Sequence, residues 1–264
     1  MTDVRLLCTD LDGTLLDSAG DVSPATRGAL RDAARAGLTV LAVTGRPVRD
    51  ALEVARAHGL TGPLACSNGA VIVRAETGGV LHREGFAPAV ARGLLGRLRA
   101  AVPGVVLGVD TARGLHLDAP FRHLVPDCWP HRPEADVATA VRDGDTVVKI
   151  LAVHPAVGPQ ALGRLFEPLA AGAFRMTRST SYFLELSRAE TDKGRALHRL
   201  AGLVGVPAGR TAAVGDMPND LPMLAAARLG AAVANAHEDV LRQADVVLPA
   251  NDDDGVAELI RMLV

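Results

Sequence analysis

The stretch Val4-Arg5-Leu6-Leu7-Cys8-Thr9-Asp10-Leu11-Asp12-Gly13-Thr14 decides the fold. Val4 to Thr9 is a short, mostly apolar run that stops at acids. Such a run, without polar alternation, reads as a buried strand of the kind parallel sheets contain. Two acids one residue apart, followed by glycine, stand just past its end. Open α/β sheets bind their ligands outside the carboxyl ends of the strands.

Working outward, Ser23-Pro24 is a helix entry, a serine cap followed by proline at the first helical position. That helix is expected to end near Gly37. Leu38 to Val43 reads as a second strand, Pro47 to His58 as a helix stopped by Gly59, and Leu64 to Cys66 as a third strand. Alternation of strand and helix predicts a parallel sheet covered on both faces. The pattern then changes. Val71 to Val73 and Val80 to His82 flank a turn, Glu76-Thr77-Gly78-Gly79. Pro88 to Ala101 and Pro159 to Ala171 read as helices. Strands are expected at Val105–Val109, Leu115–Leu117, Thr146–Val153, Ala173–Thr177 and Tyr182–Leu186. Pro120 to Pro133 carries four prolines and reads as loop. Alternation returns with a helix Lys193–Val204, a strand Thr211–Val214, a helix Pro218–Ala227, a helix from Glu238, a strand Val246–Leu248 and a last helix from Gly255. The expected fold class is α/β: a parallel-sheet core interrupted by an inserted α+β domain. The core is placed at 1–84 and 187–264 and the insertion at 85–186.

Composition narrows the function. The chain has 264 residues, a net charge of −2 and 3% aromatic residues. There is no basic excess to engage nucleic acid or an anionic membrane, and no base-stacking platform. Cys8, Cys66 and Cys128 are far apart, so buried thiols are expected rather than disulfides or a zinc site. No apolar run approaches the ~20 residues that span a bilayer. The amino terminus lacks a signal-peptide layout. A soluble cytoplasmic protein with no evident protein partner is expected.

Four motifs follow strands or open helices: Asp10-Leu11-Asp12-Gly13-Thr14, Thr44-Gly45-Arg46, Asp192-Lys193-Gly194 and Gly215-Asp216-Met217-Pro218-Asn219-Asp220. Together they place carboxylates, a hydroxyl and an ammonium along one sheet edge, the makings of a phosphate and metal site. A carboxylate such as Asp10 can attack phosphorus and become an acyl phosphate. A divalent cation must then screen the repulsion between the two anions. Magnesium prefers hard oxygen ligands, which Asp10 and Asp216 offer. Lys193 is a point charge suited to the transferring phosphoryl group. Thr44 offers a hydroxyl and Gly45 an accessible amide. Asp12 can protonate the leaving oxygen and later activate water. Gly13 permits the tight turn that brings both acids to one ligand. A calcium loop is disfavoured, because it needs glycine at the sixth position and here Leu15 stands there.

These motifs resemble those of the haloacid dehalogenase superfamily, and within it the Cof-type phosphatases. Gly215 to Met223 is similar to the family's GDxxNDxxM, Ser67-Asn68-Gly69-Ala70 to its SNGA segment, and Asn251 to Val256 to its acidic run before the last helix. The resemblance covers both core segments. It implies a Rossmann-like core with helices on both faces, a cap domain that selects substrate, and magnesium-dependent hydrolysis of a small phosphorylated metabolite. By the same resemblance Asp10 is nucleophile and metal ligand, and Asp12 is acid/base and a metal ligand through its carbonyl. Thr44 and Lys193 hold phosphate, Asp216 binds metal, Asn219 orients phosphate or Lys193, and Asp220 supports the metal. Val233-Ala234-Asn235-Ala236 departs from the usual Met-Gly-Asn-Ala, and Arg188-Ala189-Glu190 stands where a glycine is common.

Arg46 sits beside Thr44 and is expected to reach a substrate anion. His116, His123 and His131 are expected on the surface, and Arg92, Arg97 and Arg99 on the outer face of a helix. Sugar phosphates lead the expected substrates, ahead of nucleotides and phosphorylated cofactors. A phosphomutase or phosphotransferase could use the same Asp10 chemistry if water were kept out. A dehalogenase has no use for Asp12. A non-catalytic phospholigand sensor would be expected to lose some of the four motifs.

Overall fold

The computed structural model describes residues 3–111, 113–125, 131–178 and 182–264. Cys128 and the middle of the Pro120–Pro133 stretch lie outside them. The chain divides into two compact units. One comprises the segment ending at His82 together with the segment beginning at Asp192, and the other is Arg83–Thr191.

In the first unit, five strands form a sheet in the order Val246–Leu248, Leu229–Val233, Thr211–Gly215, Leu6–Thr9, Thr39–Ala42. Every pairing is parallel, with Leu6 level with both Thr211 and Thr39. Leu6, Leu7 and Cys8 are wholly buried, which is why the strand carries no polar alternation. A parallel bridge from Val43 to Ala65 leads into a second sheet of Pro63–Cys66, Val71–Arg74 and Val80–Arg83. The helix Pro24–Arg35 packs with Gly255–Leu263, and Lys193–Val204 packs with Leu221–Ala226. Local chemistry sets the helix ends. Ser23 accepts from the Thr26 amide at 3.0 Å, and Asp192 from the Arg195 amide at 2.8 Å. The helix Val48–His58 stops at Gly59 in the left-handed conformation. Cys8 and Cys66 are both buried, and burial pushes the Cys8 pKa up to about 12.

The second unit is a six-stranded sheet in the order Arg175–Thr177, Leu184–Ser187, Val147–Val153, Val106–Thr111, Gly114–Asp118, Arg132–Glu134. Neighbours are antiparallel except the last pair. One face is covered by the helices Pro88–Ala101 and Pro159–Ala170, over a core that includes Leu95, Val109, Ile150 and Phe166. The alternate residues of the strands point the other way. There Leu117, Leu151 and Phe183 gather around Phe121.

Several expectations need correction. The proline-rich stretch is not all loop: it holds a helical turn, Phe121–Leu124, and the strand Arg132–Glu134. His116 is not on the surface. It is 2% exposed, with Nδ1 at 2.8 Å from Glu134 Oε1. Arg99 turns inward and bonds both carboxylate oxygens of the buried Asp118 at 2.9 Å. Asp118 also accepts from the amides of Leu107 and Val137, so Arg99 answers a charge that anchors two segments. No helix among the described residues is long and apolar enough to cross a membrane.

Candidate active site

The five-stranded sheet delivers three of its strand ends to one place. Asp10 follows Leu6–Thr9, Thr44 follows Thr39–Ala42, and Asp216 follows Thr211–Gly215. Lys193 is the first residue of its helix and is completely buried. Its ammonium lies 2.8 Å from Asp10 Oδ1 and 2.6 Å from Asp220 Oδ1. The other oxygen of Asp220 accepts from the amides of Asp216 and Met217, each at 3.0 Å. Gly215 is required beneath it, since a Cβ there would fall 2.4 Å from Asp220 Cγ. Asp220 is thus a fixed bracket between Lys193 and the Asp216 backbone.

Carboxylate oxygens of Asp10, Asp216 and Asp220 lie within 4.8 Å of one another. Burial, then Asp220 and Asp216, push the Asp10 pKa well above the usual carboxylate range, against the pull of Lys193. Burial and Asp220 raise Asp216 to about 6, although Thr14 Oγ1 donates to its Oδ1 at 2.8 Å. Burial disfavours the Lys193 charge, but Asp10 and Asp220 outweigh it and hold the ammonium above its ordinary pKa. Three carboxylates therefore face one ammonium among the described residues. This hard-oxygen, charge-deficient cluster can hold a divalent cation. Both oxygens of Asp220 are already committed, which leaves Asp10 and Asp216 as the better ligands. Gly13 makes the approach possible: its φ is +72°, and a Cβ would lie 2.7 Å from Asp216 Oδ2.

Asp12 behaves differently. Its side chain is 54% exposed and clamped by Arg46, whose Nε donates to Oδ2 at 2.8 Å and whose Nη2 donates to Oδ1. The hydrogen bond to Asp12 holds the Arg46 pKa above its ordinary value. An ion pair this exposed contributes only about 0–1 kcal/mol to stability, so its consequence is the direction in which Asp12 points. Arg46, expected on a substrate anion, is here committed to Asp12. Its own amide donates to Thr44 Oγ1 at 3.0 Å, which leaves the Thr44 hydroxyl proton as the donor it can offer. Asn219 is buried and donates from Nδ2 to Asn68 Oδ1 at 3.0 Å. Gly45 stands between Thr44 and Arg46, partly exposed.

The profile of the haloacid dehalogenase-like hydrolases matches residues 7–260. The chain belongs to the haloacid dehalogenase-like hydrolases. Phosphatase YwpJ of Bacillus subtilis (strain 168) is 32% identical, over 99% of this chain and 100% of that one. The same organism's 5-amino-6-(5-phospho-D-ribitylamino)uracil phosphatase YwtE is 25% identical, over 99% and 98%. A solved haloacid dehalogenase-like hydrolase from B. subtilis superposes with a TM-score of 0.84 at 29% identity, over 99% and 100%. This haloacid dehalogenase-like chain is of the Cof type and is an enzyme of the phosphatase class, with the Rossmann-like core the motifs imply.

Sequence reasoning gave no role to two side chains of this hydrolase's site. Thr14 stands inside the first motif, and only its bond to Asp216 reveals it. Asn235 donates to the Gly13 carbonyl at 2.8 Å and accepts from the Asn251 amide at 2.9 Å, bracing the first motif from two hundred residues away. The asparagine kept in Val233-Ala234-Asn235-Ala236 was the available signal.

Proposed function

We propose that this chain hydrolyses the phosphate monoester of a small metabolite, foremost a sugar or polyol phosphate, through a phosphoryl group carried transiently on Asp10. One observation carries the reading. Asp10, Asp216 and Asp220 crowd around a single buried ammonium, at the strand ends where an α/β sheet presents its ligands. Magnesium, held by Asp10, Asp216 and the Asp12 carbonyl, would supply the positive charge that lets one anion approach another.

Lys193 fixes Asp10 Oδ1, so the second carboxylate oxygen is the one turned toward phosphorus. That oxygen attacks, the bond from phosphorus to the leaving oxygen breaks, and Asp12 gives the leaving oxygen its proton. Asp12 then takes a proton from the water that attacks the acyl phosphate, the Asp10–phosphorus bond breaks, and inorganic phosphate leaves. Thr44, the Gly45 amide, Lys193 and Asn219 hold the phosphate oxygens in both halves. In the free site Arg46 holds Asp12 as the carboxylate on both oxygens, so Asp12 has to leave that pair and take up a proton from solvent before it serves as the acid. The Arg83–Thr191 unit is proposed to select the substrate. Its sheet carries a buried pair, Lys149 Nζ to Glu185 Oε1 at 2.6 Å, with Thr177 Oγ1 donating to the same Glu185. The YwtE relative, whose name specifies a phosphorylated ribityl compound, supports the polyol assignment.

A panel of phosphorylated metabolites assayed with magnesium tests the substrate class. Sugar and polyol phosphates should lead the panel, and chelator should stop turnover while the circular-dichroism spectrum is kept. Full activity in chelator would remove the metal from the account.

Asp12→Asn separates the two acids. General acid–base help is worth ~10²–10⁴-fold, so phosphoenzyme formation from a sugar phosphate should slow by roughly that factor. An aryl phosphate, with a better leaving group, should suffer less. Single-turnover measurement isolates this step from hydrolysis of the intermediate. Equal penalties on both substrates would leave Asp12 as a metal-site residue only.

A further inference from the structure

The turn Ser67-Asn68-Gly69 has no part in the chemistry above, yet its backbone is left-handed at all three residues, with φ of +50°, +57° and +95°. Residues with a Cβ avoid that region unless their surroundings enforce it, and such enforcement gathers at functional sites. Ser67 and Asn68 are buried. What enforces the turn is its contact with three of the four motifs. The Ser67 amide donates to the Arg46 carbonyl and the Asn68 amide to the Thr44 carbonyl, each at 2.9 Å. Asn68 Oδ1 accepts from Asn219 Nδ2 at 3.0 Å. Gly69 presses on the start of the Lys193 helix, where a Cβ would fall 2.7 Å from that of Ala196 and 3.1 Å from the Asp192 carbonyl.

We propose that this turn positions the phosphate subsite, and that Asn68 is its central positioning residue. Its backbone sets the Thr44–Arg46 loop, and its side chain sets the Asn219 amide. Asn219 Oδ1 is buried without a partner among the described residues, so the bond from Nδ2 to Asn68 is what fixes the plane of that amide. Asn is suited to the position because it tolerates a left-handed backbone and still offers an acceptor. The inference rests on the reading of Thr44 and Asn219 as phosphate-holding groups.

Asn68→Gly keeps the backbone freedom and removes the amide, so the fold should survive. The assay is competitive inhibition of aryl phosphate hydrolysis by inorganic phosphate, with magnesium present. The inhibition constant and KM should rise about tenfold, the worth of one positioned hydrogen bond, with kcat falling less. Asn68→Asp keeps the acceptor oxygen and should hold the inhibition constant within about fivefold of wild type. Because Asn68 acts through Asn219, the double variant Asn68→Gly/Asn219→Ala should be no worse than Asn219→Ala alone. An unchanged constant in Asn68→Gly overturns the proposal, as do losses that multiply in the double variant or an Asn68→Asp loss as large as that of glycine. Wild type uninhibited by phosphate would overturn the reading of the subsite itself. Inhibited wild type with an unaffected Asn68→Gly would overturn only the role of the turn.

Discussion

Asp10→Asn should abolish turnover, by on the order of 10⁴-fold or more, while the protein stays folded. The amide is nearly the same size as the carboxylate, and its oxygen can still accept from Lys193. It cannot attack phosphorus or carry an acyl phosphate. Stability should not fall, because burial and the neighbouring acids make the Asp10 charge costly in the folded protein. A neutral side chain there removes repulsion from Asp216 and Asp220. The checks are steady-state hydrolysis of an aryl phosphate and a thermal melt in chelator. A well-folded variant with substantial activity would remove Asp10 from the nucleophile's role.

Lys193→Met should have the second largest effect, and it should appear in both activity and stability. The methionine chain refills the buried stem without the charge. Asp10 Oδ1 and Asp220 Oδ1 then lose their ammonium at 2.8 and 2.6 Å. Removing one member of a buried ion pair typically costs about 3–5 kcal/mol, because the remaining charge is stranded. Urea unfolding in chelator should show a loss of that order, and magnesium should restore part of it by answering the same carboxylates. Turnover should fall by roughly 10²–10³-fold, as when one preorganised electrostatic group is removed from a transition state. Wild-type stability in chelator, or activity within tenfold of wild type, would show that the buried ammonium is not the centre of the site.

The parallel core was legible because its signals are local and redundant. The helix Lys193–Val204 and the strand Val246–Leu248 have the bounds that capping and apolar runs predict, since Asp192 caps the one and the other is a bare apolar triplet between turns. The helical turns Phe121–Leu124 and Val137–Ala140 were not legible. Four residues are too few for a 3.6-residue period to show. Arg132–Glu134 was hidden by Pro133, which a strand tolerates only at a sheet edge, where this one lies. In the site, the four motifs could be placed along one sheet edge because each ends a strand or opens a helix. Pairings across that edge could not be read. Arg46 to Asp12 is 34 residues apart and Asn235 to Gly13 is 222. Nothing in either local pattern names its partner, and proximity to Thr44 is the one sequence signal that points Arg46 toward the substrate. The burial of His116 is hidden for the same reason, since its partner Glu134 lies across the parallel pairing of Gly114–Asp118 with Arg132–Glu134.

A covalent phosphoryl group on Asp10 is the intermediate on which the proposed reaction turns, and it can be trapped. Enzyme mixed with a turned-over phosphate ester and magnesium is quenched in acid within milliseconds, reduced with borohydride, and digested for peptide mass analysis. Reduction of an acyl phosphate converts aspartate to homoserine. Homoserine is expected at position 10 alone, forming no more slowly than turnover and absent without substrate. Homoserine at another aspartate, or rapid turnover with none at position 10, would contradict it.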